Sequence, residues 1–315
     1  MRTEKCEIYI TSSSAKMLSQ EIASVMRGRA LSWELFPFSF KEFLIYKNIS
    51  IDYMTTKTKL LLQKAFDEYW YTGGFPEVFG LNKRLRIKIH QEYFQSILFR
   101  DLIERYDIPH PKALYDLAHW LLQNIGALYS INQLFTYLQS MNHKISKSAV
   151  SNYLKWLEDA YFLFSVGIFD ASINKRNINP KKIYCIDHAL IQSLSTQMLV
   201  NSGHILENIV FNILRRFACD IYYYKTKTGK EIDFLVQLPN RSKKIIQVCY
   251  SIKEIKTIQR EMTALIEAMD ELNLNTAEII TQDIETNKAL HLDPRIQIIP
   301  IWQFVLLGLH TEQSL

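Results

Sequence analysis

From Gly203 onward, the order of apolar runs leaves few folds open. One helical run (residues 204–217) precedes three short runs of strand character, 221–227, 231–237 and 244–250. Thr228-Gly229-Lys230 and residues 238–243 read as the turns between them. A second helical run (257–272), strands at 277–281 and 296–299, and a closing apolar helix (301–309) complete the pattern. Apolar residues recurring at 3.6 mark the helices, and short β-rich runs bounded by turn residues mark the strands. The order α-β-β-β-α-β predicts a mixed α/β fold whose last unit is built on one sheet.

The preceding residues read differently. Residues 7–11 suit a short buried strand, with serines 12–14 as its turn. Ser14 suits the cap of a helix carrying Met17, Leu18, Ile22 and Val25, ended by Gly28. Residues 31–45 are dense in aromatics around Pro37, and Ser39 caps a short helix there. Helices are expected at 57–71, stopped by Thr72-Gly73-Gly74-Phe75-Pro76, and at 85–104. Residues 112–169 then follow the order of a winged helix-turn-helix. It comprises helices at 113–124 and 131–139, and a third capped by Ser146 or Ser148 with Val150, Tyr153, Leu154, Leu157 and Ala160 as its stripe. An extended run (161–169) has 182–186 as its return strand. Boundaries are expected after residues 50 and 186, giving a mostly helical middle and a last unit at 187–315.

An apolar content of 48% is ample for packed cores, which excludes a disordered chain. No apolar run reaches the ~18 residues that cross a bilayer, and the first residues lack a signal-peptide stretch. Four cysteines (Cys6, Cys185, Cys219, Cys249) stand far apart, with neither CxxC nor zinc spacing, so a reduced, cytoplasmic setting without membrane contact is expected. The net charge is +5, unevenly placed: residues 261–294 carry −7, residues 295–315 are neutral, and residues 1–260 carry +12. A basic body suits a polyanionic partner such as DNA.

Two constellations carry chemistry. Glu207 on the first helix of the last unit, Glu231 and Asp233 on its second strand, and Gln247-Val248-Cys249 on its third follow the spacing of the PD-(D/E)XK nuclease centre. There, carboxylates hold Mg²⁺ because a hard cation takes oxygen ligands, and a lysine helps to activate water. Glu207, Asp233 and Gln247 are the candidate catalytic residues, and Glu207 and Asp233 the candidate metal ligands. The centre is degenerate: Gln247 replaces an acid and Cys249 stands at the lysine position. Lys225, Lys227 or Lys230 could supply a lysine from a neighbouring strand. Otherwise Glu207 and Asp233 serve in structural hydrogen bonds, and Mg²⁺ is expected only if the centre is active. In the winged-helix order, Lys147, Asn152 and Lys155 lie on the exposed side of the third helix. Lys175, Arg176, Lys181 and Lys182 follow without an intervening acid. Such cations can neutralise phosphates; a solvated face or a protein contact is the plainer alternative. No GxxxxGK[ST], GxSxG, HExxH or GxGxxG run occurs, and His188 and His204 read as structural.

The runs IYITSSSAKMLSQEIASVMRGRALSWELFPFSFKEFL, YWYTGGFPEV, SNYLKWLEDAYFLF, KKIYCIDHAL, GHILENIVFNILRR and GKEIDFLV with IIQVCYS occur in order. Together they resemble the AAA+-like bacterial and archaeal ATPases that carry a C-terminal domain of unknown function, over nearly the whole chain. The resemblance implies an ATPase core, a winged helix and a nuclease-like domain, with residues 1–50 as the end of the core. It places Ser13, within serines 12–14, in the sensor region, and Arg27 and Arg29 in the RGR motif that reaches nucleotide phosphate. The 315 residues hold neither the family's Walker A lysine nor its Walker B acids. ATP is therefore expected only with the missing N-terminal half, whether that belongs to a longer form of this chain or to an ATPase core in another chain. The reading that results is a non-catalytic nucleic-acid- or protein-binding module. A metal-dependent DNA nuclease and a structural half that completes an ATPase are the alternatives.

Overall fold

The computed structural model describes residues 9, 11, 31, 33–51, 55–195, 201–217, 220–283 and 293–309. The strand expected at 7–11, apart from Tyr9 and Thr11, and the helix after Ser14 lie outside the described residues.

Helix α1 (Phe40–Tyr46) begins as its sequence suggests: Ser39 Oγ accepts the Glu42 N–H, and Glu42 reaches back to the Ser39 N–H at 2.7 Å. This reciprocal cap satisfies two amides that a helix start leaves unpaired. Helix α2 (Thr56–Thr72) stops at Gly73, which takes φ +75°. The turn brings the Gly74 N–H to Asp187 Oδ2 at 2.6 Å, tying α2 to a residue 113 positions away. The helix expected at 85–104 has two parts: α3 (Lys83–Ser96) passes into a wider π-helical stretch, Ile97–Glu104, with Phe94, Leu98 and Leu102 staying buried throughout.

Helices α4 (Pro111–Gln123), α5 (Ile131–Ser140) and α6 (Lys147–Asp159) form close to where periodicity puts them. Ser130 and Ser146 are the caps, and Val150, Tyr153, Leu154 and Leu157 are the buried stripe of α6. Between and after them come β1 (Leu128–Tyr129), β2 (Leu163–Val166), α7 (Ile173–Ile178) and β3 (Lys181–Cys185), followed by α8 (His188–Leu194). β2 runs antiparallel to β3 with Phe164 opposite Tyr184, and β1 covers the other edge of β3. β1, α7 and α8 were not foreseen, being too short to leave a periodic signature.

The last unit keeps the expected order: α9 (Ser202–Arg215), β4 (Asp220–Lys225), β5 (Glu231–Gln237), β6 (Lys243–Cys249), α10 (Ile255–Leu272), β7 (Ala277–Thr281), β8 (Ile296–Pro300) and α11 (Ile301–Leu307). The five strands lie side by side in sequence order, antiparallel through β6 and parallel from β6 to β8; α10 returns the chain to the end of the sheet where β6 begins, so that β7 runs parallel to it. One face packs on α10 through Ile245, Ile258, Met262 and Leu265. The other joins a core that runs from Phe40 to Leu309 and includes α9.

β5 contains the feature that aims the site. Tyr222 faces Leu235, yet Tyr224 faces Ile232, so three steps on β5 match two on β4. The extra residue is a β-bulge, which reverses the faces beyond it. Phe234 and Val236 enter the main core and Leu235 the α10 side; past the bulge, Ile232 enters the α10 side. Glu231 and Asp233 thereby turn toward α9 and β3.

Gly73 should tolerate no side chain. A Cβ there would lie 2.3 Å from Asp187 Oδ1, in a left-handed backbone. Gly73→Ala is expected to cost about 2–4 kcal/mol from φ strain and overpacking, read from the urea midpoint. A loss below ~1 kcal/mol would mean that the Gly74–Asp187 tie does not hold this turn.

Candidate functional site

Period two on β3 puts Lys182 and Tyr184 on one face, and period two on the start of β5 does the same for Glu231 and Asp233. The fold sets these faces against Glu207 of α9. Lys182 Nζ lies 2.9 Å from Glu207 Oε1, 2.9 Å from Glu231 Oε1 and 2.9 Å from Asp233 Oδ1. Its three N–H donors thus meet three carboxylates, and the residue is 2% exposed. Tyr184 donates its phenol to Glu207 Oε1 at 2.6 Å. Gly126, at φ +76°, lets the chain pass close by: a methyl there would come within 3.0 Å of Glu207 Oε2.

The remaining oxygens are satisfied where two strands part. The β5–β6 ladder runs from Gln237 opposite Lys243 to Phe234 opposite Ile246. Beyond it, Gln247 Oε1 accepts the Asp233 N–H at 3.2 Å, and Asp233 Oδ2 accepts the Val248 N–H at 3.0 Å. Gln247 donates its own amide to Glu261 Oε2 of α10 at 2.8 Å, and Arg260 pairs with the same carboxylate. Cys249 bonds the Ser251 carbonyl. Burial, then the charge of Glu261, pushes its thiol up to about 11, so it stays protonated at neutral pH.

Three carboxylates share one ammonium. Burial and the charge of Asp233 push Glu207 up to about 7, against the pull of Lys182 and Tyr184. Burial would lower Lys182, but Asp233, Glu207 and Glu231 hold it above the ordinary lysine range.

The sequence-derived candidates are thus partly united. Glu207 and Asp233 meet, with Glu231, at one point. Gln247 joins them through Asp233 alone. Of the lysines considered as replacements, Lys230 pairs with Glu267 at 2.7 Å, Lys227 is exposed, and Lys225 approaches Glu231 only to 3.9 Å. The lysine that fills the centre is Lys182, which sequence reasoning placed among the surface cations. As a buried, triply paired group it is not available to a phosphate. Lys147, Asn152, Lys155 and Lys175 are exposed, as expected, and Arg176 and Lys181 are half-buried. Ser13, Arg27 and Arg29 lie outside the described residues. The roles of Tyr184 and Glu261 went unnoticed. The alternation of Lys182 with Tyr184 was the available signal, but nothing local says which face of β3 turns inward. His188 bonds the Tyr69 carbonyl at 3.0 Å, a structural contact. Among the described residues, Cys185 and Cys249 are free thiols, and no helix is long and apolar enough to cross a membrane.

Three known families match successive parts of the chain, and the site draws residues from two of them. Residues 1–44 match an AAA domain, residues 63–199 a domain of unknown function (DUF8612) and residues 202–304 another (DUF4143). The chain therefore joins an AAA-family segment to a DUF4143 domain. It is 36% identical over 310 residues to the uncharacterized protein MJ1544 of Methanocaldococcus jannaschii, across 95% of this chain and 68% of that one, and it belongs to the same family. An uncharacterized protein of Haemophilus influenzae is 30% identical over 250 residues, covering 79% of this chain and 60% of its own. The chain thus spans about two thirds of the length of these relatives.

Removing the ammonium should expose its purpose. Lys182→Met is expected to destabilise the protein by about 3–5 kcal/mol at pH 8, because the buried Glu207 and Asp233 carboxylates and the half-buried Glu231 lose their counter-charge. The loss should shrink at pH 5. A carboxyl raised as Glu207 is favours the folded state most below its ordinary pKa, and that advantage fades as pH rises through about 7. Lys182, held above the lysine range, keeps its contribution across that whole window. Urea unfolding at both pH values measures this; equal losses would show that Lys182 is not the counter-charge.

Proposed function

We propose that this chain is a non-catalytic binding module of an AAA-family protein. In this reading its last unit is a PD-(D/E)XK nuclease-like fold whose acidic centre has been closed from within. The observation that carries it is the Lys182 ammonium, 2.9 Å from each of three carboxylates. Mg²⁺ does not fit that arrangement. A hard divalent cation needs those oxygens for itself, and Gln247, at the place of a further acid, spends its amide on Asp233 and Glu261. Among the described residues, no three His, Cys, Asp or Glu side chains are set to hold a metal. Cys249 supplies neither the charge nor the proton of a catalytic lysine.

The binding surface belongs to the middle of the chain. Helices α4, α5 and α6 with strands β1 to β3 support a winged helix-turn-helix reading, and its exposed cations suit a nucleic acid. Residues 1–44, which match an AAA domain, suit a contact with an AAA core, where Arg27 and Arg29 of the RGR motif would serve a nucleotide phosphate. A cytoplasmic setting fits the free, buried thiols Cys185 and Cys249.

A metal-dependent nuclease is the second reading, favoured by the one fact that a lysine does stand at the carboxylates. Supercoiled plasmid incubated with Mg²⁺ or Mn²⁺ separates the two. No nicking above the buffer control is expected, with Asp233→Asn and Asp233→Ala indistinguishable from the unaltered protein. Metal-dependent nicking that both substitutions abolish would make the protein an enzyme.

A further inference from the structure

Beside the acidic centre, on the opposite face of β3, lies a cleft of about 450 Å³. Its walls are the first turn of α5, the exposed side of α6, the end of α7 and Lys181 at the start of β3. Lys155 of α6 and Lys181, far apart in sequence, both line it, together with Asn132, Ser151 and Asn177. We propose that this cleft binds the phosphodiester backbone of a nucleic acid, with Lys155 and Lys181 as its phosphate ligands. This rests on the binding-module reading and names the ligand and the place.

The lysines of this protein differ in their ion pairing. Lys182, Lys47, Lys230 and Lys244 each pair with a carboxylate within the protein. Lys155 and Lys181 have no such partner among the described residues. Glu158, an acid lining the cleft, is turned to the Ser165 N–H, which its Oε1 accepts at 3.1 Å. The cleft therefore holds two cations against one carboxylate, which forms an ion pair with neither and is engaged by a backbone amide. The surplus positive charge is one that an entering anion would meet.

The neutral groups are of the matching kind. Ser130 Oγ takes the Gln133 N–H, and Ile131 and Asn132, which precede that bond in the first turn of α5, line the cleft. The first amides of a helix carry the positive end of its dipole. Lysine, asparagine and serine side chains with helix N-terminal amides are the inventory that contacts phosphates in nucleic-acid complexes. A protein partner would call for an apolar, aromatic centre instead.

An extended polyanion accounts for the surroundings better than a single phosphate. Lys147, Ser151 and Lys155 recur every four residues on α6, so they share one face. Lys175 of α7 is exposed and only distantly paired, 3.7 Å from Asp170. Cations thus continue from both ends of the cleft.

Fluorescence anisotropy with short labelled duplex and single-stranded oligodeoxynucleotides, between ~50 and ~200 mM salt, tests this. The unaltered protein is expected to bind at least one of them with steep salt dependence. Lys155→Gln combined with Lys181→Gln should weaken binding at least ~tenfold at low salt and lower the log–log salt slope by about two. Lys253→Gln, which removes an exposed lysine elsewhere, should change neither. Thermal melts by circular dichroism should coincide for all of these proteins. Unchanged affinity and slope in the double variant would overturn the cleft assignment while nucleic-acid binding stood. Absence of binding by the unaltered protein would overturn the nucleic-acid assignment and leave a protein as the ligand. The closed acidic centre stands or falls separately, on the plasmid assay.

Discussion

One buried ammonium joins the three-stranded and the five-stranded sheet of the described residues. Lys182 leaves the three-stranded sheet and ends among carboxylates from α9 and β5 of the five-stranded one. Burying Glu207 and Asp233, with Glu231 half-buried beside them, is costly unless each is paired and its remaining lone pairs are filled. Here an ammonium supplies three protons to three acceptors, a phenol adds a fourth donor, and a backbone amide freed where β5 and β6 part completes Asp233. The balance is still short of positive charge; the raised Glu207 carboxyl takes up part of the difference by holding a proton toward neutrality, and Lys225 stands 3.9 Å from Glu231. The bulge in β5 and the glycine at 126 are consequences of the same demand, since one aims the acids and the other clears space beside them.

Helix α9 carries this arrangement to the other end of the chain. Below Glu207, Asn208 accepts the Cys185 N–H at 2.7 Å and donates to the Cys185 carbonyl at 3.0 Å, so a helix side chain replaces a strand neighbour at the end of β3. At its last turn, Arg215 lies 3.6 Å from the centre of the Phe164 ring and pairs with Glu34, and Arg216 donates to the Pro37 carbonyl. Phe38 then donates its N–H to the Gly74 carbonyl, and its own carbonyl accepts the Tyr69 phenol. The segment that ends the AAA-family match is therefore fastened to the helix that opens the DUF4143 match.

Much of this was legible in local pattern. Serines at 39, 130 and 146 cap helices as their spacing suggests, because a cap depends on three or four neighbouring residues. The α-β-β-β-α-β order follows from a change of periodicity, and Glu207 and Asp233 belong together as the motif spacing implies. Lys182 was misread because nothing near it in sequence differs from a surface lysine: it follows Lys181 in a basic stretch, and its three partners lie 25 to 51 positions away. Alternation along β5 would place Asp233 and Leu235 on one face. A single inserted residue in the ladder separates them, and a bulge has no signature in composition.

The amino-acid order alone set which segments become helix or strand, which faces are apolar, and which acids can gather, since those depend on periodicity and short-range hydrogen bonding. The tertiary structure decided that a lysine from another sheet would neutralise them, and that Lys155 and Lys181 would share a cleft while Lys182, one residue on, would be buried. The physical reason is that charge pairing and burial act between residues close in space. A pleated strand sends neighbouring side chains to opposite faces, and only packing determines which face meets the acids and which meets solvent.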